Sequence, residues 1–238
     1  MNRARPPLID RRLRWGLLAS LAVLAACGGG GAGPLTVPVD FAAEAAEWVV
    51  GASDYGDDTA PTSVTAVLAP QPSPLHGQGL RLSGDNRSDD LFAFVARPLD
   101  GLLPGGAYQV RWQATVVAEV PAGCYGVGGS PGEGVTIKAG VAGQRPQRVR
   151  VGDEWRFNLD KGDQTRIGPQ AAGLGDLTSH GRDCVAVAPA YKTMTAEQAE
   201  PVRADAQGRV WLWLGWDSGY EASSSLLLVR GQVWLTPR

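Results

Sequence analysis

The sequence has few of the side chains on which most catalytic and metal sites depend, with two histidines and three cysteines in 238 residues. His76 and His180 both lie in polar segments. A Ser-His-Asp triad would have to pair one of them with a serine such as Ser130, and no nucleophile elbow surrounds that serine. The composition therefore argues against catalysis by a histidine-activated serine.

A basic excess is also missing. The first 26 residues hold five of the 22 basic residues and one of the 24 acidic residues, so the remainder of the chain is acidic. An acidic chain is a poor match for a phosphate backbone. We therefore expect no nucleic-acid partner.

The glycine-rich segment 126–134 invites comparison with nucleotide-binding loops, but it lacks their phosphate-binding pattern. Pro131 stands where the third glycine of a dinucleotide fingerprint should be, and the β-branched Val135 follows in place of a helix start. Nucleotide binding is therefore not expected. We predict a wide turn between two strands, with the glycines supplying positive φ.

No hydrophobic run is long enough to span a bilayer. The run 15–26 follows a basic stretch, which is typical of a secretory signal peptide. Its end, Leu24-Ala25-Ala26-Cys27, resembles the bacterial lipobox, in which the cysteine is acylated. The sequence predicts a signal peptide over 1–26, a lipid anchor such as palmitate on Cys27, and a flexible glycine-rich tether to residue 33.

Lipidation would attach the chain to a membrane of the cell envelope, facing the periplasm. Gly28, in place of Asp after the acylated cysteine, fits outer-membrane sorting by its resemblance to the usual retention rule. A free buried cysteine at position 27 is the alternative.

Lipidation of Cys27 leaves Cys124 and Cys184. An even pair in an exported domain predicts a disulfide, which would stabilise the fold by roughly 4 kcal/mol. A metal–thiolate pair is the alternative, although neither cysteine has a second Cys or His at ligand spacing.

The short strand-like segments and Gly/Pro turns of residues 34–238 predict one all-β domain. We expect an antiparallel β-sandwich with a jelly-roll-like layout whose terminal strands lie side by side. Segments 91–95 and 210–214 are apolar on both faces, which is typical of central strands. Single helical turns are expected within 41–48 and 195–199. The predicted strands are 35–39, 48–51, 63–68, 80–83, 91–97, 108–119, 134–141, 148–151, 155–158, 185–187, 209–216 and 225–235.

Several acidic residues lie in polar loops and suggest two kinds of site. Glu133, Asp160 and Glu221 could supply the paired carboxylates of a carbohydrate-active enzyme. Calcium is the other candidate, because loop carboxylates suit a hard cation, although the spacing is not that of an EF-hand. The calcium donors would be Asp89, Asp90, Asp217 and Glu221. The alternative for all of them is the capping of turns through backbone hydrogen bonds.

Seven tryptophans follow the signal segment, and most are expected in the core. Trp216 and Tyr220 lie at the end of a predicted strand, beside Asp217 and Glu221. Aromatic rings at a strand end are the candidates for stacking on a sugar.

Four motifs together resemble those of a family of uncharacterised bacterial secreted proteins and lipoproteins. They are Asn86-x-Ser-Asp-Asp-Leu-Phe, Gly126-Val-Gly-Gly-Ser-Pro-Gly-Glu, Asn158-x-Asp-Lys-Gly-x-Gln164 and Asp217-Ser-Gly-x-Glu221. The resemblance runs from Trp48 to the C-terminus and implies lineage and localisation, with no activity attached. The chain departs from the family pattern at Arg87, where His is expected, and at 223–227, where Thr and Tyr are expected.

The layout is also similar to galactose-binding-like jelly rolls, which bind ligands at the loops of one end, a likeness of fold alone. We expect the polar loops to form one structural or ligand-binding surface, because such clusters cost stability unless they satisfy one another or a ligand. Within it, Lys138, Lys161, Asp89 and Asp160 are expected to pair with one another or with backbone groups, and Glu133 and Lys138 to face the other polar loops.

The predicted function is a non-enzymatic binding or envelope-structural module for a glycan or an envelope protein, with a carbohydrate-active enzyme as the alternative. No cofactor is expected apart from the calcium ion considered above. The candidate residues are Asn86, Asp89, Asp90, Glu133, Lys138, Asn158, Asp160, Lys161, Gln164, Trp216, Asp217 and Glu221.

Overall fold

The computed structural model describes residues 33–179 and 181–238. Within these ranges the chain forms fifteen β-strands and one short 3-10 helix, Ala45–Glu47. The predicted signal peptide, Cys27 and His180 lie outside the described residues. The strands are β1 (Leu35–Asp40), β2 (Val49–Ser53), β3 (Tyr55–Gly56), β4 (Val64–Pro70), β5 (Gln78–Asp85), β6 (Leu91–Leu99), β7 (Ala107–Ala118), β8 (Val135–Ala142), β9 (Arg148–Val151), β10 (Glu154–Phe157), β11 (Ala172–Asp176), β12 (Ala190–Glu197), β13 (Val202–Arg203), β14 (Val210–Ser218) and β15 (Ser223–Pro237).

Two antiparallel sheets form the sandwich, which confirms the predicted fold class. The first sheet runs β12–β7–β15–β5–β4, with β13 beside β7 and β1 beside β15. The second runs β11–β8–β14–β6–β2. None of the helices in the described residues has the length and hydropathy to cross a membrane.

The first and last strands lie side by side, as the sequence predicts. β1 pairs with the second half of β15, from Leu35 opposite Leu235 to Asp40 opposite Arg230. β15 is the only partner of β1 among the described strands, so Pro38 stands in an edge strand, where a missing N–H is tolerated.

The main core lies between the two sheets and follows from the alternation along the strands. In β7, Tyr108, Val110 and Trp112 are buried, whereas Arg111 between them is exposed. Residues two apart on a strand share a face, so one face of β7 packs against the second sheet. β14 contributes Leu212 and Leu214 to the same core.

A second apolar cluster covers the outer face of the second sheet. Phe92 and Phe94 of β6 and Trp213 of β14 pack there against Phe157 of β10, with the Phe92 and Phe157 ring centroids 4.9 Å apart. The second sheet is therefore covered on both faces. This explains why segments 91–95 and 210–214 are apolar at every position, and it confirms that they are central strands.

A small third sheet lies in that outer layer. Its order is β3–β10–β9, and Trp155 of β10 stands opposite Tyr55 of β3 and opposite Arg150 of β9. The cross-strand pairing therefore places these three side chains in one row.

Two local predictions are wrong. Residues 185–187 form no strand, and Val185 is 62% exposed, so this segment has no sheet to join. Residues 195–197 end the strand β12, where a helical turn was expected. Backbone pairing of β12 with β7 and the Thr193–Thr115 hydroxyl contact of 2.9 Å override the helix propensity of Ala and Glu.

Candidate functional site

A buried ion pair joins β8 and β14, two neighbouring strands of the second sheet. Lys138 of β8 stands opposite Gly215 of β14, so its side chain is a diagonal neighbour of Asp217. Lys138 Nζ lies 2.7 Å from Asp217 Oδ2, and both side chains are 0% exposed. An ion pair without water must be compensated by further hydrogen bonds if it is not to cost stability.

Lys161, in the loop after β10, supplies part of that compensation. Its Nζ lies 2.7 Å from the same Asp217 oxygen and 2.9 Å from Asp54 Oδ2. It also sits 4.9 Å from the centre of the Phe92 ring. Lys138 Nζ donates in addition to the carbonyl of Arg166, at 2.9 Å.

Arg156 extends these contacts to the surface. Its Nη1 lies 3.0 Å from Asp90 Oδ2 and 3.7 Å from Asp54 Oδ1. We call Asp54, Asp90, Lys138, Arg156, Lys161 and Asp217 the buried charge network. It contains three carboxylates and three cations.

Burial sets the titration of this network. It raises the pKa of Asp217, against the two lysines, and lowers the pKa of Lys138. Burial opposes the charge of Lys161 as well, but Asp217 and Asp54 together raise its pKa. Burial and the Asp217 and Asp54 carboxylates raise the pKa of Asp90 to about 7. The charges of the network therefore compensate one another through ion pairs. The Asp217 and Lys138 side chains are inaccessible to solvent.

The expected pairing of the lysines is corrected in one respect. Lys138 and Lys161 do bond to backbone carbonyls, but their carboxylate partners are Asp217 and Asp54. Asp160 instead accepts a hydrogen bond from the Gly162 backbone N–H at 3.1 Å, which is the turn-capping alternative.

The four motif loops meet at one end of the sandwich through backbone contacts. Asn86 Nδ2 donates to the carbonyls of Ser218 at 2.7 Å and Tyr220 at 3.0 Å. Gln164 Nε2 donates to the Asp89 carbonyl at 2.7 Å. The structure thus brings together candidate residues from three of the motifs, as parts of one loop scaffold.

The glycine loop, residues 126–134, packs closely against the loops that carry the first and fourth motifs. Gly128, with φ of 73°, is the only residue of 126–134 with positive φ. A Cβ at Gly128 would lie 2.5 Å from the Gly219 carbonyl and 2.9 Å from Asp89 and Glu221, and a Cβ at Gly126 would lie 2.3 Å from the Tyr220 ring. The prediction that these glycines supply positive φ is therefore wrong for all but Gly128. Most of them leave room for a neighbour.

Glu133 does not face the other polar loops, contrary to expectation. One of its oxygens accepts from the Gly123 N–H at 2.7 Å, and the other accepts from the Ser130 hydroxyl. These hydrogen bonds lower the pKa of Glu133. A lowered pKa is the opposite of what a general acid needs at neutral pH.

The predicted disulfide is confirmed. Cys124 and Cys184 are bonded, with their Cα atoms 4.6 Å apart and a sequence separation of 60 residues. The bond ties the start of the glycine loop to the segment before β12.

Trp216 cannot stack on a sugar, so that interpretation is wrong. Its side chain is 0% exposed in the main core, and its Nε1 donates to the Leu82 carbonyl at 3.3 Å. Strand alternation places Trp216 on the inner face of the second sheet, opposite the outer face that carries Asp217.

A groove with a volume of about 820 Å³ lies on the outer side of the second sheet. Its floor is formed by residues 49–52 of β2 with Phe94 and Ala96 of β6, and its rims by 60–64 and 145–148. Tyr55, Trp155 and Trp211 also line it. We call it the aromatic groove.

Two tryptophans of the aromatic groove are partly exposed and stack with arginines. The Arg148 guanidinium lies 4.6 Å from the Trp155 ring, and that of Arg145 lies 5.6 Å from the Trp211 ring. Arg148 also donates to the Tyr55 hydroxyl. Trp155 Nε1 donates to Asp57 Oδ1 at 2.8 Å, which fixes the indole plane.

Asn158 positions the rim of the groove. Its Nδ2 donates to the Arg145 carbonyl at 2.9 Å, and its Oδ1 accepts from the Gln147 N–H at 2.9 Å. Of the residues predicted from the motifs, Asn158 alone contacts the groove-lining segment 145–148 among the described hydrogen bonds.

Sequence reasoning missed the groove. The segment Arg145-Pro-Gln-Arg148-Val-Arg150 holds three arginines in six residues, and this run was the available signal. The chain is acidic as a whole, so a local cluster of like charges beside Trp155 points to a site.

The predicted calcium site has no matching cluster of ligand side chains in the described residues. No group of three or more His, Cys, Asp or Glu side chains within 33–179 and 181–238 is arranged to hold a metal. Among the proposed donors, Asp217 faces two lysines. Calcium binding stays a prediction.

Neither a protein-family model nor a curated protein sequence matches the chain. Among solved structures, the chain is similar to the enzymatically active domain of tailspike protein 4 of bacteriophage CBA120, with 8% identity and a TM-score of 0.34 over 77% of this chain and 19% of that one. It is also similar to a carbohydrate-binding module of the β-sandwich superfamily with promiscuous specificity, with 9% identity and a TM-score of 0.39 over 77% of this chain and 55% of that one.

A third similar structure is a carbohydrate-binding module with specific mannan recognition, with 11% identity and a TM-score of 0.39 over 87% of this chain and 99% of that one. The chain thus spans about a fifth of the first of these proteins and about half of the second. At such TM-scores the similarities carry no conclusion about function, which depends on the site itself.

Proposed function

We propose that the chain is a non-enzymatic glycan-binding module and that the aromatic groove is its binding site. The observation that supports this most directly is the pair of partly exposed indoles, Trp155 and Trp211, in a groove of about 820 Å³. Ligand sites are typically concave, with aromatic walls and a few placed polar groups. Asp57, Thr62 and Gln147 supply polar groups here.

The state of the candidate carboxylates favours binding over hydrolysis. A glycosidase needs two carboxyl groups in one cleft with pKa values pushed apart. Of the three candidates, Glu133 is held by its own loop and Asp160 caps the turn at Gly162. Neither of them, nor Glu221, lines the aromatic groove. Among the residues that the structure describes, Asp57 is the only carboxylate that lines the aromatic groove, and it is bonded to Arg150 and Trp155.

The first experiment is affinity gel electrophoresis of the full chain in gels that contain single soluble polysaccharides. The panel holds mannan, xylan, dextran, polygalacturonate and hyaluronan. We expect at least one polysaccharide to retard the wild type and the Trp155→Ala variant to migrate faster in that gel. Retardation by none of them, or retardation unchanged by Trp155→Ala, would remove the groove as a glycan site.

The matched control is Trp234→Ala. Trp234 is also a partly exposed indole, stacked 5.1 Å from the Arg111 guanidinium, but it lies on β15 of the first sheet. Its removal should leave retardation unchanged.

We propose in addition that Cys27 anchors the module to the periplasmic side of the cell envelope. The support is the lipobox-like sequence and the glycine tether, which would let a groove reach ligands away from the membrane. Cells that express the full chain should incorporate labelled palmitate into it, and the Cys27→Ser variant should not. Equal labelling of both would contradict the anchor.

A further inference from the structure

We infer that the ligand of the aromatic groove is an acidic glycan, whose carboxylates are bound by Arg145 and Arg148. This inference rests on the proposed function and adds the charge of the ligand to it. The observation behind it is a pair of groove-lining guanidinium groups that lack a carboxylate partner.

The arginines of this region divide into paired and unpaired groups. Arg150 lies 2.8 Å from Asp57, and Arg156 lies 3.0 Å from Asp90. No ion pair within residues 33–179 and 181–238 involves Arg145 or Arg148, the two that line the groove. Both side chains are exposed at the rim.

The groove contains no spare negative charge for them. Asp57 is its only acidic lining residue, and Asp57 Oδ1 accepts hydrogen bonds from Arg150 Nη1 and Trp155 Nε1 at 2.8 Å each. These bonds, together with the nearby charges of Arg150 and Arg148, lower the pKa of Asp57, so it stays ionised. One carboxylate thus faces three guanidinium groups. Two positive charges therefore remain for a ligand to neutralise.

Both guanidinium groups are held before any ligand arrives. Arg145 stacks on Trp211, and Arg148 stacks on Trp155 while it donates to the Tyr55 hydroxyl. Stacked arginines lose little freedom on binding, and the planar fork matches a carboxylate. Asn158 fixes the backbone of the same segment through Arg145 and Gln147.

The indoles and the planar guanidinium groups together indicate which class of glycan fits the groove. Guanidinium groups cover part of each indole, with both Arg148 and Arg150 over Trp155, so a sugar ring would contact the remaining exposed indole surface. The guanidinium groups offer paired donors at the same edge. A neutral glycan would contact the indoles and leave the guanidinium groups without a counter-charge. A uronic acid chain carries both a ring and a carboxylate on each residue, so it matches both.

The test compares one polysaccharide in two charge states. Isothermal titration of the full chain would use polygalacturonate and its methyl-esterified form at physiological salt, beside mannan, xylan, dextran and hyaluronan. We expect an acidic chain to bind about tenfold or more tighter than its neutral counterparts. Arg145→Gln should weaken acidic binding roughly tenfold, so that the preference for the acidic form over its methyl-esterified form is lost.

Arg145→Gln suits this test because the Arg145 side chain has no described hydrogen bond to lose, so the fold is expected to persist. The control is Arg111→Gln, which removes a guanidinium stacked on Trp234 outside the groove. It should not change binding of either form.

The outcomes separate the two proposals. Equal binding of acidic and neutral chains would overturn the charge inference and leave the glycan-binding function standing. No binding of any glycan would overturn both. A single-stranded oligonucleotide that binds as tightly as the acidic glycan would also overturn the inference, because it would show attraction for any polyanion.

Discussion

At the scale of single residues, Asp217 is the centre of the buried charge network, since its Oδ2 accepts hydrogen bonds from two lysines. Its Oδ1 has no hydrogen-bond partner in the structure. Removal of one member of a buried pair leaves the other charge uncompensated, which is more costly than the pair itself is stabilising.

Replacing Asp217 should therefore destabilise the fold strongly. Asp217→Ala leaves two buried ammonium groups without their shared partner, and the free energy of unfolding should fall by about 3–5 kcal/mol. Lys138→Met should cost less, because Lys161 remains on Asp217. Urea denaturation of both variants gives the values.

The control for this prediction is Asp153→Ala, an exposed aspartate in the β9–β10 turn, which should change stability by less than about 0.5 kcal/mol. If Asp217→Ala unfolds at the same urea concentration as that control, the network does not stabilise the fold.

Asp90 gives the network a pH dependence. Its pKa in the folded state is about 7, above the value near 4 of an unfolded chain. The folded state therefore binds the extra proton between these values, and the fold loses stability as the pH rises from about 4 to 7. Above pH 7 this contribution is flat.

Asp90→Asn should remove this dependence. Between pH 5 and pH 8 the wild type should lose about 2 kcal/mol more stability than the variant, measured by urea denaturation at both values. Asp217 and Glu44, whose pKa values are raised by burial as well, act in the same direction in both proteins. An identical loss in wild type and variant would show that Asp90 is ionised throughout.

At the scale of elements, the Cys124–Cys184 disulfide stabilises the fold because it restricts the conformations of the unfolded chain. The double Cys→Ser variant should lose roughly 4 kcal/mol, with a lower melting temperature than the oxidised wild type. Reduction of the wild type should reproduce that loss and leave the variant unaffected. A variant that melts with the oxidised wild type would contradict the prediction.

The Trp213 indole lies over Gly140 of the neighbouring strand and leaves no room for a side chain there. A Cβ there would lie 2.5 Å from the Trp213 ring, in the middle of the second sheet. Gly140→Ala should lower stability by about 1–3 kcal/mol in thermal or urea unfolding. Gly33→Ala, with open space around it, is the control and should have no effect. Equal stability of the two variants would show that the indole can move aside.

Much of the element pattern follows from the sequence, because period-two alternation and burial on both faces are local signals. β7 and the central strands β6 and β14 are predicted in this way. β12 is not, since its Ala and Glu residues favour helix, and only pairing with β7 decides its state. The short β3 and β13, of two residues each, give no signal at all.

The candidate site is predicted less well, and the reason is physical. Which carboxylate pairs with which lysine depends on strand register and on the paths of the loops. The ion pair between Asp54 and Lys161, for example, has no local sequence signal, because the two residues lie in different loops. The motif residues mark a loop scaffold at one end of the sandwich. The residues that could contact a ligand, Trp155, Trp211 and Arg148, belong to a groove on the outer face of the second sheet.

At the scale of the whole molecule, structural and ligand-facing polar residues occupy different places. The buried charge network and the motif loops use their polar groups on one another. The aromatic groove keeps two indoles and two unpaired guanidinium groups at the surface. Under the proposed function, the ligand would contact the groove, and the buried charge network would serve the fold alone.

Hydrogen–deuterium exchange of the full chain, with and without the polysaccharide that binds best, tests the central claim most directly. The claim predicts slower exchange on binding at residues 49–52, 60–64 and 145–148, which form the floor and rims of the groove, and no change at 107–118 or 230–237 of the first sheet. Protection confined to the glycine loop 126–134, or to the first sheet, would contradict it.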